Sequence, residues 1–373
     1  MRSMELKYDG IVLYQSFFDE KTGNCLRSVE GGSYDFDMAD DIRKAFDEHR
    51  KRFKNSYWDV CSPSPEMMDI SITNKCGFGC SYCYQSSQSD GKHARQDLVE
   101  KTLLGFETVP YQIAIGGGEP TLHPDLPYIL GMARGIGTIP NLTTNGSNLT
   151  PEIMDAINEV CGGVALSYHQ HKGLDYFRRT YMFMKENLNC QLNVHLIADN
   201  MVIKGIEDLI SLHDEIGPVS LVLLGYHPTG RGFISSCMTR TTYTRDLPNA
   251  IRKIMKLGAN ISFSEGLLPY FISRPEIGVN TAFAMYGEGQ FSCYVDTNGR
   301  MHRSSFNLET DTKSDTIFNK SSQSIWEEGF SHVDTHFAND CYFCTHKSRC
   351  RSSCVELSML CGKNPINKLP LKS

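Results

Sequence analysis

The chain has 373 residues, a formal net charge of −6 at neutral pH, and 40% hydrophobic against 21% charged residues. That length can bury a large core and hold one big domain beside a smaller one, and the mild acidity gives no whole-chain reason to bind nucleic acid or a membrane, although a local basic groove for nucleic acid stays open. No apolar run approaches the roughly 18 residues of a membrane helix, and Met1 to Glu5 lacks the apolar core of a signal peptide, so a cytoplasmic protein with no membrane partner is expected.

In chain order, the first 60 residues offer a strand-like Gly10 to Phe17 and a charged amphipathic helix near Asp40 to Phe53. Strands are then expected at Met68 to Thr73, Gln112 to Ile115, Ile139 to Thr143, Gly163 to Ser167, Gln191 to Ile197 and Ser220 to Leu224. Between them lie helical segments around Asp97 to Glu107, Asp125 to Gly131, Pro151 to Val160, Leu174 to Leu188 and Gly205 to Ile216. Thr150 followed by Pro151 is an N-cap and first-turn pair. This alternation predicts a parallel sheet with crossover helices, and periodicity alone fits a doubly wound sheet as well as a barrel.

Directly after the first of these strands comes Cys76-Gly77-Phe78-Gly79-Cys80-Ser81-Tyr82-Cys83. Three thiolates are one short of the four that close a structural zinc or an ordinary iron-sulfur site, so a metal held here keeps a position open for chemistry. Three buried or zinc-binding cysteines are the plainer alternative. After the second strand comes Gly116-Gly117-Gly118-Glu119-Pro120, where successive glycines allow close backbone approach to a ligand.

Together the CxxxCxxC loop, with Tyr82 before its last cysteine, and the Gly-Gly-Glu-Pro turn one βα unit later resemble the radical S-adenosylmethionine (radical SAM) superfamily. The resemblance implies an α/β fold, a partial (β/α)6 TIM-type barrel over 66–245 behind an N-terminal cap region at 1–65. It implies a four-iron, four-sulfur cluster on Cys76, Cys80 and Cys83, with SAM chelating the remaining iron. Gly117, Gly118, Glu119 and Pro120 would hold the SAM ammonium group, with Tyr82 beside the cluster. In such barrels ligands sit at the carboxyl ends of the strands. By analogy Thr144, Asn145, Ser167 and Asn200 are candidates for the SAM ribose and carboxylate, although Asn, Thr and Ser also favour turns and caps. His169, His171 and His227 would face the same mouth; of these His169 and His227 are the catalytic candidates for proton transfer. Tyr168 and Tyr226 would be pocket walls.

The tail carries Cys341-Tyr342-Phe343-Cys344, then Cys350, Cys354 and Cys361. This resembles the SPASM extension that binds auxiliary four-iron, four-sulfur clusters behind radical SAM barrels, here a small cysteine-rich region within 246–373. A CxxC with further cysteines also suits a zinc ribbon. The family's Gly-x4-Cys element is broken, because Ser304 stands five residues after Gly299 where the cysteine belongs. Cys293 and Cys354 are then too few for the first auxiliary cluster. One auxiliary cluster is expected, on Cys341, Cys344 and Cys350, closed by Cys361 or by Cys354. Ser305 also replaces the acidic residue that sulfatase-maturing relatives carry there. Cys25, Cys61, Cys161, Cys190 and Cys237 read as packed small hydrophobes.

The implied function is reductive cleavage of SAM to a 5'-deoxyadenosyl radical that abstracts hydrogen from a substrate C–H bond. The SPASM resemblance implies a peptide or protein substrate, with an external electron donor such as flavodoxin or ferredoxin. Modification of a nucleoside, nucleic acid or small metabolite is a second reading, and a non-catalytic iron-sulfur protein a third.

Overall fold

The computed structural model describes residues 1–8, 11–21, 23, 25–29, 61–232, 236–239, 241–281, 287–306 and 315–330. The five tail cysteines and the helix expected near Asp40 to Phe53 lie outside these residues.

A nine-stranded sheet forms the body. Its central six strands are parallel and adjacent in chain order: β4 (Met67–Thr73), β5 (Gln112–Gly117), β6 (Ile139–Thr144), β7 (Gly163–Ser167), β8 (Gln191–Ala198) and β9 (Ser220–Gly225). The six expected βα units are therefore present, and their sequential order is that of a barrel rather than a doubly wound sheet. The sheet also runs further: β10 (Asn260–Phe263) adds in parallel to β9, and β11 (Ser292–Val295) adds in parallel to β4 with β12 (Met301–His302) antiparallel beyond it.

Each central strand has a core face and a lumen face, as the period of two requires. Met68, Ile70, Ile72, Ile113, Ile115, Val194, Leu196, Leu221 and Leu223 are buried against the helices. The other face carries small or polar residues such as Asp69, Ala114, Gly116, Asn141, Ser167 and Asn193, none of them fully enclosed. Apolar packing on one side fixes the register, and the polar alternate set leaves the lumen free for ligands.

Among the described residues the helices are α1 (Leu98–Leu104), α2 (Leu126–Ile136), α3 (Pro151–Val160), α4 (Leu174–Asn187), α5 (Val202–Ser211), α6 (His213–Ile216), α7 (Leu247–Lys256), α8 (Leu268–Ile272) and α9 (Ser322–Glu328), besides short 3-10 and π turns. Thr150 caps α3 as expected, its hydroxyl accepting the Ile153 N–H at 3.4 Å. Two expectations fail in instructive ways. Helix α2 runs past Gly131 to Ile136, because Ile129, Leu130 and Ala133 bury one face and outweigh roughly 1 kcal/mol per interior glycine. It stops at Gly137, which is left-handed at φ 105°. The single helix expected over 205–216 starts earlier and divides at Leu212, where the Ser211 hydroxyl donates to the Asp208 carbonyl at 2.7 Å and competes with the helical ladder.

At the N-terminus, β1 (Arg2–Tyr8), β2 (Ile11–Phe18) and β3 (Cys25–Val29) form an antiparallel sheet in that order. It docks on the amino ends of β4 and β5. The Tyr14 hydroxyl donates to Glu66, Ser16 and Tyr111 share a hydrogen bond at 2.9 Å, and Phe18 stacks on Tyr111 at 5.0 Å. This sheet lies at the end of the barrel opposite the cysteine loop.

Candidate functional site

The cysteine loop leaves the carboxyl end of β4 and is held by its neighbours rather than by its own secondary structure. The Cys76 N–H donates to the Gln88 carbonyl at 2.8 Å, and the Gln88 N–H to the Asn74 carbonyl at 3.2 Å, so the loop is closed at its base. The Gly118 N–H donates to the Thr73 carbonyl at 2.6 Å and the Glu119 N–H to the Lys75 carbonyl at 2.8 Å, which binds the glycine turn of β5 directly to the loop. A side chain at Gly118 would collide with the Lys75 carbonyl, well inside the 3.0 Å that real Cβ atoms keep. Gly118 is thus required by loop-to-loop approach. At Gly116, on the lumen face, nothing lies within 4 Å of where a side chain would begin.

Glu119 is buried and fully engaged. Its Oε1 accepts from the Thr121 hydroxyl at 2.7 Å and the Thr144 hydroxyl at 2.6 Å, and its Oε2 accepts the Asn145 N–H at 2.7 Å. Burial raises its pKa, opposed by these donors. Asn145 turns its amide toward the loop, with Nδ2 3.7 Å from Cys76 Sγ, and the Tyr176 hydroxyl donates to its carbonyl at 3.0 Å. Pro120 opens the short turn at 120–122 that continues from Glu119.

The carboxyl end of β7 supplies the histidines. His169 Nδ1 lies 2.9 Å from the Tyr82 hydroxyl and 3.6 Å from Cys80 Sγ, and His171 Nε2 lies 3.8 Å from the same sulfur. Phe78 meets His169 edge-on at 5.2 Å and carries the Lys172 ammonium over its ring at 4.5 Å. Burial pulls the His169 pKa down to about 4, with His171 and Lys172 acting in the same direction, and His171 is lowered for the same first reason. Burial, then the neighbouring Cys76 and Cys83, pushes the Cys80 thiol up to about 11; burial also raises Cys76. Tyr82 is raised by burial first.

The remaining candidates are dispersed. Ser167 ends β7, half-buried on the lumen side. Asn200 is exposed in the turn after β8, its N–H held by the Ser236 carbonyl at 2.9 Å. His227 stacks on Phe306 at 3.7 Å and is lowered to about 4 by burial. Tyr168 is not a pocket wall. It is buried against Phe177 and donates to Asp208 at 2.7 Å, because alternation sends it outward between Ser167 and His169.

Sequence reasoning missed Arg231. Its Nε donates to the Cys80 carbonyl at 2.9 Å, its Nη1 to the Ser87 carbonyl at 2.7 Å, and its own N–H to the Cys83 carbonyl at 2.9 Å. Gly230, left-handed at φ 60°, lets that segment close down, since a side chain there would strike the Tyr84 and Cys83 carbonyls. The only trace in the sequence is the Gly-Arg-Gly run after the sixth strand.

Three thiols on one loop suit an iron-sulfur cluster: soft sulfur donors, one short of closure, with Gly77 and Gly79 leaving free space beside the loop. Residues 70–183 match the sequence model of the Radical SAM superfamily. The chain is 27% identical over 161 residues to GTP 3',8-cyclase of Psychromonas ingrahamii, spanning 39% of this chain and 46% of that protein. It is 22% identical over 326 residues to mycofactocin maturase MftC of Mycobacterium tuberculosis, spanning 80% of each. Among solved structures it resembles Streptococcus suis SuiB bound to precursor peptide SuiA, with TM-score 0.65, 14% identity, and coverage of 87% of this chain and 79% of that one. The likeness to SuiB is one of fold.

Proposed function

We propose that the chain is a radical SAM enzyme, a reading supported by the match of residues 70–183 to that superfamily, and that it modifies a peptide or protein by abstracting hydrogen from an unreactive C–H bond. The observation that carries the reading is the hydrogen-bonded union of the Cys76–Cys83 loop with the Gly116–Pro120 turn at the carboxyl ends of two adjacent parallel strands. The peptide class is supported by 32% identity over 102 residues to the PqqA peptide cyclase of Ruegeria pomeroyi, beside the similarity to the maturase MftC over 80% of both chains.

Bound here, a four-iron, four-sulfur cluster with SAM would supply the electron that cleaves SAM and the 5'-deoxyadenosyl radical that takes the hydrogen atom. Cys76, Cys80 and Cys83 would hold the cluster. Gly117, Gly118, Glu119 and Pro120 form the SAM-binding turn in this reading, with Thr144 and Asn145 fixed beside it by Glu119, and with Ser167 and Asn200 at the neighbouring strand ends. His169 and His227 are the catalytic candidates in this reading, and burial holds both uncharged at neutral pH. The protein's task is to orient the partners and exclude water, and the enclosure of Cys80, Thr144 and Asn145 suits that task. On the sequence pattern, one auxiliary cluster on Cys341, Cys344 and Cys350 with Cys354 or Cys361 completes the enzyme, and flavodoxin or ferredoxin is the electron donor.

The test is anaerobic reconstitution followed by reduction with SAM present. The protein should release 5'-deoxyadenosine and methionine, and Cys80→Ala should abolish both. Undiminished release by Cys80→Ala overturns the assignment.

A further inference from the structure

We propose that in the cluster-free chain Cys80, His169 and His171 form a site for a single divalent cation of the zinc class, exclusive of the iron-sulfur cluster. The three donor atoms lie within 4.8 Å of one another, drawn from two segments that the fold brings together across β4 to β7. Cys80 Sγ stands 3.6 Å from His169 Nδ1 and 3.8 Å from His171 Nε2. A tetrahedral ion with Zn–S near 2.3 Å and Zn–N near 2.05 Å places its sulfur and nitrogen donors about 3.6 Å apart. Both measured separations therefore fall close to the edges of such a tetrahedron before any ion is bound.

The chemistry of the donors agrees. One thiolate with two neutral imidazoles is a borderline-soft set that favours zinc over magnesium or calcium. The contacts to be displaced are neutral: the Tyr82 hydroxyl at 2.9 Å from His169 Nδ1, and the Phe78 carbonyl at 3.4 Å from His171 Nε2. The fourth vertex is left to water or to the Tyr82 oxygen. Since both metals need the Cys80 thiolate, an ion in this site blocks cluster assembly. That exclusion rests on the cluster reading above; the ion site itself does not.

Cobalt(II) is the probe, because tetrahedral coordination and sulfur ligation each give it distinct absorption. The full-length variant C76A/C83A cannot hold the cluster yet keeps Cys80 and both histidines. It should bind about one more equivalent of cobalt(II) than C76A/C83A/H171A, with tetrahedral bands and sulfur-to-cobalt charge transfer in the difference spectrum. The tail cysteines are present in both proteins and cancel. His171 is exposed, so its removal leaves the core untouched. Equal uptake with identical spectra in the two proteins overturns the proposal. So does a cobalt spectrum that the wild type shows and C76A/C83A loses without change in H171A, because the ion would then sit on the three thiolates. Zinc added before reconstitution should lower iron uptake in the wild type and do so less in H171A; equal inhibition in both counts against the exclusion.

Discussion

Glu119 Oε2 accepts the backbone N–H of Asn145 at 2.7 Å, joining the glycine turn after β5 to the loop after β6 across 26 residues of chain. The other oxygen takes three donors, from Thr121 N–H, Thr121 Oγ1 and Thr144 Oγ1. Glutamine has one oxygen. If it serves the Oε1 donors, its NH2 faces the Asn145 N–H, donor against donor. Glu119→Gln should therefore lose about 1–3 kcal/mol of stability, and Glu119→Ala more. Urea unfolding of cluster-free protein measures this, and an unchanged midpoint in both variants would show that the carboxylate does not fix these loops.

Gly118 and Gly116 separate fold from ligand space. A methyl group at Gly118 meets the Lys75 carbonyl and must push the cysteine loop away, whereas at Gly116 it enters open space. Gly118→Ala should therefore lower the iron bound after reconstitution, and Gly116→Ala should assemble iron normally while weakening SAM binding. Iron analysis beside equilibrium binding of SAM distinguishes them; full iron in Gly118→Ala would contradict the loop-to-loop role.

Arg231 holds two carbonyls of the cysteine loop with one guanidinium. Arg231→Ala leaves them without their charged donor, at about 1–3 kcal/mol. A loosened loop should lose iron to a chelator faster than the wild type, and equal rates of loss would count against the latch.

The parts of this fold that sequence reveals are those governed by short-range rules. Strands from Met67 to Ser220 stand out because a buried apolar face alternates with a polar lumen, and the three cysteines share one loop. What was hidden depends on distance along the chain. Arg231 lies 151 residues from Cys80, whose carbonyl it holds, and nothing in its own neighbourhood marks that contact. Gly118 looks like a ligand-approach glycine until the Lys75 backbone is placed against it. Tyr168, expected at the mouth beside Ser167, faces away from it because the pleat sends Ser167 and Tyr168 to opposite sides.

Asp69 carries a pH dependence. It is exposed, yet its strand is flanked on both sides by β5 and β11, so its carboxyl lines the lumen. Desolvation, with Glu288 adding repulsion, raises its pKa from 3.8 to about 7. The folded state thus keeps a proton that the unfolded chain loses first, and stability falls as pH rises from 3.8 toward about 7 and is level above. Asp69→Asn should lose less stability than the wild type between pH 5 and pH 8. Solvent access makes the difference smaller than the full shift implies. Parallel urea midpoints for the two proteins at both pH values would remove Asp69 as the cause.

The iron content tests the sequence's departure from a complete SPASM module. Ser304 is buried, and its hydroxyl accepts the Phe306 N–H at 3.4 Å, so it already serves the turn that follows β12. Cys293 is buried on β11 beside Met68 of β4, and burial raises its thiol well above the ordinary value, which suits a packed side chain. Serine is a poor iron ligand beside thiolate, so Ser304 is not expected to replace the missing cysteine of a first auxiliary cluster. Anaerobically reconstituted protein should then carry about eight irons per chain, four at each of two sites, and the triple change of Cys76, Cys80 and Cys83 to Ala should leave about four on the tail cysteines. About twelve irons in the wild type would mean that a residue such as His302 or Ser304 completes a third site. Zinc in place of the tail iron would mean that Cys341, Cys344, Cys350, Cys354 and Cys361 build a structural module.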